Sequence, residues 1–148
     1  MKNGGLMKIR ISTFLLIVIL GSFFSFANFV LAQSSEDLAA SAVESWFALV
    51  DDEKYEGSWK AASSYFRNAV TKEQWINSMN AYRKLLGKTI FRKIESNQYT
   101  TSLPGAPDGE YFVIQCKTSF SNKKSAIETI TPMKDRDGKW RVSGYYIK

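Results

Sequence analysis

The sequence predicts an α+β fold in which three N-terminal helices pack on a four-stranded antiparallel sheet. Three observations predict it. Apolar residues recur at helical spacing between Gln33 and Gly87. From Asp108 to Lys148, three β-prone runs alternate with two polar turns, the pattern of an antiparallel meander. Between these halves, Thr89–Thr101 alternates loosely enough to read as a further strand. The length of 148 residues suits one domain.

In chain order, the first segment is of another kind. Lys2, Lys8 and Arg10 precede a mostly apolar run, Ile11 to Leu31, that contains no acid and ends Val30-Leu31-Ala32. Basic start, apolar centre and small residue at the end match a secretory signal peptide, 1–32, with cleavage after Ala32 and Gln33 as the first mature residue. Met7 offers a second start. About twenty apolar residues also suffice for an uncleaved membrane anchor, but Ser22, Ser25 and Asn28 weaken that reading. No cysteine follows the run, which argues against a lipoprotein. The expected location is periplasmic or secreted, with 33–148 as the single folded domain.

Ser34-Ser35-Glu36-Asp37 supplies capping oxygens and negative charge for a helix start. Ala39, Val43, Trp46 and Val50 then form a stripe, widened by Ala42 and Leu49. Asp51-Asp52-Glu53 opposes the helix dipole, so the helix is expected to stop there. Tyr55, Trp59, Ala62 and Phe66 make the second stripe. Thr71 and Gln74 form a capping-box pattern opening the third helix, whose stripe is Trp75, Met79, Tyr82 and Leu86 with Leu85 alongside; Gly87 is its stop. Each stripe reads as core before it reads as a ligand pocket. On this reading, Trp59→Ala is expected to cost about 3–5 kcal/mol.

In the sheet half, Ser102–Gly109 is a Pro/Gly-rich connector. The next strand sets Phe112, Ile114, Cys116 and Phe120 on its core face and Tyr111, Val113, Gln115 and Lys117 on the other. The two faces of the third strand, Ile127/Thr129/Thr131/Met133 and Ala126/Glu128/Ile130/Pro132, do not rank by hydrophobicity. Pro132 cannot donate to a ladder and marks a bulge or a strand end. Asp137-Gly138 closes a tight turn. In the last strand Trp140, Val142, Gly144 and Tyr146 alternate with Arg141, Ser143, Tyr145 and Ile147, and Gly144 signals a bulge or a close approach.

Composition excludes several chemistries. The chain has no histidine, which removes the commonest general base and zinc ligand. Its one cysteine, Cys116, can form no intramolecular disulfide or Cys-based metal site. The net charge is +6, and with Lys2, Lys8 and Arg10 set aside it is mild and unclustered, so no nucleic-acid partner is expected. No cofactor is implied.

Leu103–Tyr111, Glu128-Thr-Ile-Thr-Pro-Met133 and Trp140-Arg-Val-Ser-Gly-Tyr145 resemble the bacterial domain-of-unknown-function 4019 (DUF4019) family. Leu49-Val-Asp51, Ser58-Trp59, Ala61-Ala62, Phe66, Val70-Thr71, Gln74-Trp75 and Arg83…Leu86-Gly87 resemble it too, in the family's order. The resemblance covers roughly Ala40 to Ile147. It implies an exported bacterial domain and brings no catalytic residues. Helices followed by an antiparallel sheet are also similar to the NTF2-like or cystatin-like class, in which a curved sheet wraps a helix and leaves a pocket; such a fold hosts many functions.

Three functional expectations follow. The first is a non-enzymatic module binding a small ligand or an envelope protein, with Trp59, Tyr82, Arg92, Gln115, Glu128 and Tyr146 as candidate pocket residues. Arg92 and Glu128 are polar positions within β-prone runs, which read first as a solvated face and otherwise as a charge pair across the sheet; burial of either requires a partner, because an unpaired buried charge is costly. The second is an enzyme in which Glu128 acts as base with Tyr111 or Tyr146. The third is self-association, with a possible homodimer, through an outer-face patch of Tyr111, Val113, Tyr145 and Ile147. The only membrane contact expected is through an uncleaved signal.

Overall fold

Four helices precede a four-stranded antiparallel sheet in the computed structural model, which describes residues 35–148. The predicted signal peptide and its cleavage after Ala32 lie outside the described residues. The helices are α1 (35–51), α2 (Tyr55–Ala61), α3 (Ser64–Ala69) and α4 (Lys72–Ser78). The strands are β1 (Thr89–Thr100), β2 (Tyr111–Phe120), β3 (Ala126–Lys134) and β4 (Trp140–Ile147). They lie in the order β1-β2-β3-β4, a plain meander.

The α1 stripe is core as expected: Ala39, Val43, Trp46 and Val50 are buried, joined by Phe47. The acidic run ends the helix, and Glu53 turns the chain with φ 56°. The second stripe corrects the helix count from three to four. The chain leaves the helix at Ala62–Ser63, where the Ser63 backbone N–H donates to the Val142 carbonyl of β4 at 2.8 Å. The Ser63 side chain then caps α3 by accepting from Phe66 N. A strand-edge bond and a new cap together offset the lost helical turn.

The Thr71/Gln74 capping box forms as expected. The third stripe holds only in part. Trp75 and Met79 are buried, but Tyr82 and Leu85 are exposed. After Ser78 the helix widens into a π-helical turn, Met79–Arg83, then tightens into a 3-10 turn, Lys84–Leu86. The wider turn delays the helical phase by one residue. Arg83 therefore takes the inward place that a 3.6-residue period assigns to Tyr82. Gly87, at φ 78°, ends the element.

Cross-strand pairs share a face of the sheet, so register decides what points inward. On β2 the expected core face is buried. On β3 the inward set is Ala126, Glu128, Ile130 and Pro132. On β4, Thr131 pairs with Gly144 but Pro132 pairs with Val142, leaving Ser143 as an extra residue. This bulge reverses the alternation. Trp140 and Val142 face the core as expected, but beyond the bulge it is Tyr145, opposite Ile130, that faces inward. β1 slips twice, at Ile90 and at Glu95. The slips bring Thr89, Arg92 and Ile94 to the inner face opposite Phe120, Thr118 and Cys116.

The proposed outer patch is corrected by the same geometry. Tyr145 points inward, and Tyr111 is fully buried beneath the Pro/Gly connector, its hydroxyl donating to the Pro107 carbonyl at 2.6 Å. Exposed apolar surface lies instead on the edge strand β1, at Ile90, Phe91, Ile94 and Tyr99.

Candidate functional site

Each strand contributes one side chain to a single buried centre. Glu128 of β3 is fully buried. It accepts from Arg92 of β1 through Nε at 2.6 Å and Nη2 at 3.2 Å. It also accepts from Thr118 Oγ1 of β2 and Tyr145 OH of β4, each at 2.5 Å. The strands that carry Arg92 and Glu128 lie two spacings apart, about 9–10 Å, and the two residues are offset by two positions along them. Only a long side chain crossing a small-residue position spans that distance, and β2 presents Cys116 and Thr118 there.

The outer side of the Arg92 guanidinium grips Asp51, at the end of α1, with Nη1–Oδ2 2.8 Å and Nη2–Oδ1 3.0 Å. Arg83, brought inward by the π-helical turn, donates to Asp51 Oδ1 at 2.9 Å, to Thr89 Oγ1 at 2.9 Å and to the Gly87 carbonyl at 2.8 Å. Both guanidiniums lie over aromatic rings: Arg92 is 3.7 Å from the Phe47 centroid and Arg83 4.5 Å from that of Phe120. Two cations and two anions thus form a neutral, hydrogen-bonded chain beneath the helices. Burial demands this pairing, since a lone charge at Glu128 would be desolvated without compensation.

Electrostatics follow the geometry. Burial opposes ionisation of Asp51, but the hydrogen bonds and charge of Arg92, aided by Thr89 and Arg83, outweigh it and hold the carboxyl below its ordinary value. Burial drives the Tyr145 phenol far above its ordinary value, and the charge and hydrogen bond of Glu128 add to that. Burial likewise pushes the Cys116 thiol up to about 11, so it is inert near neutrality. At Asp135, burial is outweighed by hydrogen bonds from Ser64 and Arg136 and by Arg141, and the net shift is downward.

These shifts set a pH profile. A carboxyl with a lowered folded pKa stabilises above its unfolded pKa and loses that contribution as pH falls through the folded value; a phenol with a raised one stabilises below its unfolded pKa and loses it as pH rises. Urea unfolding is expected to show a plateau from about pH 5 to about pH 9, with stability falling below about pH 4 and again above about pH 10. Asp51→Asn is expected to flatten the acid limb. Stability that still climbs below pH 4 would contradict the Asp51 assignment.

Two clefts flank the centre. One, about 400 Å³, opens between the π-helical turn and the end of β4, and is lined by Trp75, Tyr82, Arg83, Lys123, Tyr145 and Tyr146 among others. The second, about 370 Å³, opens between α1 and the β1–β2 pair, and its wall includes Phe47, Asp51, Arg92 and Cys116. Glu128 lies outside both linings. Among the described residues, no group of three or more Asp, Glu, Cys or His converges as a metal site.

The six candidate residues are therefore dispersed. Arg92 and Glu128 meet in the centre. Tyr82 and Tyr146 line the first cleft. Gln115 is exposed on the outer face, and Trp59 is partly buried on α2 with its indole N–H on the Val70 carbonyl at 2.8 Å. The tyrosine on Glu128 is Tyr145, neither Tyr111 nor Tyr146. Sequence reasoning missed Asp51, Arg83, Thr118 and Tyr145. For Asp51 a signal existed: three acids at a helix C-terminus call for nearby cations.

Fold and site together define a class: an α+β domain built on a clamped ionic centre between two open clefts. The family model described as "Protein of unknown function (DUF4019)" matches residues 42–145. The chain belongs to this family, and the match spans every member of the ionic centre. No curated protein and no solved structure matches the chain.

Proposed function

We propose that the protein is an exported bacterial, non-enzymatic module that binds a small ligand in the cleft beside Tyr145, on an NTF2-like or cystatin-like arrangement of helices over a curved sheet. The observation that carries this reading is the cleft's lining. Four aromatic side chains, Trp75, Tyr82, Tyr145 and Tyr146, wall a volume of about 400 Å³, a size suited to a small organic molecule. Its serine, Ser78, has no histidine or carboxylate in the lining to take its proton. Glu128, the carboxylate best placed to be a base, already accepts four hydrogen bonds and faces neither cleft. Such a group holds the wall in place and is poorly set for proton transfer to a ligand. The apolar N-terminal run supports export.

The test is to isolate the protein from its native envelope, sequence its N-terminus and identify bound small molecules by mass spectrometry after denaturation. A start at Gln33 and a stoichiometric small molecule are expected. A start at Met1 or Met7 overturns cleaved export. A preparation free of small molecules, with tryptophan fluorescence unmoved by a fragment library, overturns the ligand reading. A second reading, self-association, is favoured by the exposed apolar side chains of edge strand β1; a concentration-independent monomer in size-exclusion chromatography removes it.

A further inference from the structure

We propose that the cleft between the π-helical turn and β4 takes a small organic anion: an apolar, preferably aromatic body carrying one carboxylate. This rests on the ligand-binding reading and assigns its chemical class.

The charge pattern of the lining comes first. It holds Arg83 and Lys123 and, among the described residues, no acid. The other cleft differs, because its lining holds two acids, Asp51 and Glu44, besides Arg92. Arg83 is more than nine-tenths buried, yet its donors are only partly used. Nη1 and Nη2 are engaged by Gly87, Asp51 and Thr89. Nε is buried without a partner, one of two such side-chain atoms among the described residues, the other being Thr129 Oγ1. Sealed from the cleft, that atom reaches an acceptor only if the Arg83 side chain shifts. Asp51 balances the Arg83 charge, so Lys123, exposed at the β2–β3 turn, supplies both the net charge and the hydrogen bond to the carboxylate.

The backbone supports the same assignment. The π-helical turn sends Arg83 inward and, by the same slip, leaves Tyr82 at the mouth of the cleft, 76% exposed. The bulge at Ser143 does the equivalent on the opposite wall, turning Tyr145 in and leaving Tyr146 48% exposed. Two local irregularities thus set a cationic floor below an aromatic rim. Such π-turns and bulges recur where side chains are re-aimed for function. An aromatic carboxylate suits this lining: its ring covers the rim and its oxygens meet Lys123.

The test is calorimetric titration of the full chain with naphthalene-2-carboxylate and with its neutral isostere naphthalene-2-carboxamide. The acid is expected to bind one to one and about tenfold more tightly than the amide, a difference expected of charge-assisted hydrogen bonds. Lys123→Gln is expected to weaken the acid about threefold to fivefold and leave the amide unchanged, as for a solvent-exposed ion pair. Tyr82→Ala should weaken both, and Glu44→Gln, in the other cleft, neither. These are surface positions, so the variants are expected to fold. Equal binding of acid and amide overturns the anion class while leaving the cleft a binding site. Indifference of both probes to Tyr82→Ala, or no heat from either at millimolar concentration, overturns the cleft. Neither result depends on whether the envelope preparation carries a small molecule, which decides the ligand reading itself.

Discussion

Glu128→Ala is expected to cost about 3–5 kcal/mol of unfolding free energy, the range for removing one member of a buried ion pair. The substitution leaves four donor groups, on three side chains, facing a void. Arg92 loses its carboxylate on the sheet side and keeps Asp51 and a long bond to Thr89 Oγ1, while Thr118 and Tyr145 lose their acceptor. The penalty is mainly the desolvation of groups left unpaired, and this distinguishes the centre from simple packing. Glu128→Leu combined with Arg92→Met should therefore recover most of the loss, because neither member of the pair is then left charged without the other. Asp51 in that double variant still holds Arg83 and Thr89. Urea denaturation of the two single variants and the double decides the matter. Single-variant losses below about 1 kcal/mol, or a double variant less stable than both singles, would show that the pair is not energetically closed.

The layering of helices on sheet was legible because it rests on periodicity, and so was the core face of β2. What escaped was phase. Simple alternation along β4 aims Tyr146 at the core; one extra residue, Ser143, hands that place to Tyr145. A 3.6-residue count along the third stripe aims Tyr82 inward; the π-helical turn hands that place to Arg83. Pro132 and Gly144 announced the first slip, and the bulge lies where they flank it. Nothing in Met79-Asn-Ala-Tyr-Arg83 announces the second, since the interactions that hold the π-helical turn include Asp51, thirty-two positions away in sequence. The Arg92–Glu128 pairing was legible as one of two options, a charge pair across the sheet or a solvated face, and the burial that decides between them was not. The register that satisfies it requires the two slips of β1, where the sequence alternates weakly.

Trp46→Ala is the second large effect expected, at about 3–5 kcal/mol, and it should exceed that of Trp59→Ala. Trp46 is 2% exposed and sits at the hub of the aromatic core, 5.1 Å from the Tyr145 ring centroid, 5.8 Å from Trp75 and 6.1 Å from Phe47. Its indole N–H donates to the Ser58 carbonyl at 2.9 Å, and the Ser58 hydroxyl accepts from Trp75 at 3.0 Å. Truncation therefore opens a cavity, orphans a buried carbonyl and loosens two neighbouring rings. Trp59 is only partly buried and bonds a single carbonyl at the end of α3, so its loss is expected to stay near 2 kcal/mol, below the value its place in the stripe suggests. The two substitutions should also differ in reach. Tyr145 is held by the Trp46 ring on one side and Glu128 on the other, so Trp46→Ala should allow the Tyr145 phenol to titrate nearer its ordinary range, visible as an added ionisation in a 295 nm alkaline titration below the unfolding pH. Trp59→Ala should leave that titration unchanged. Equal destabilisation by the two variants, with no change in the tyrosine titration of either, would mean that the aromatic core and the ionic centre are separate structures that happen to adjoin.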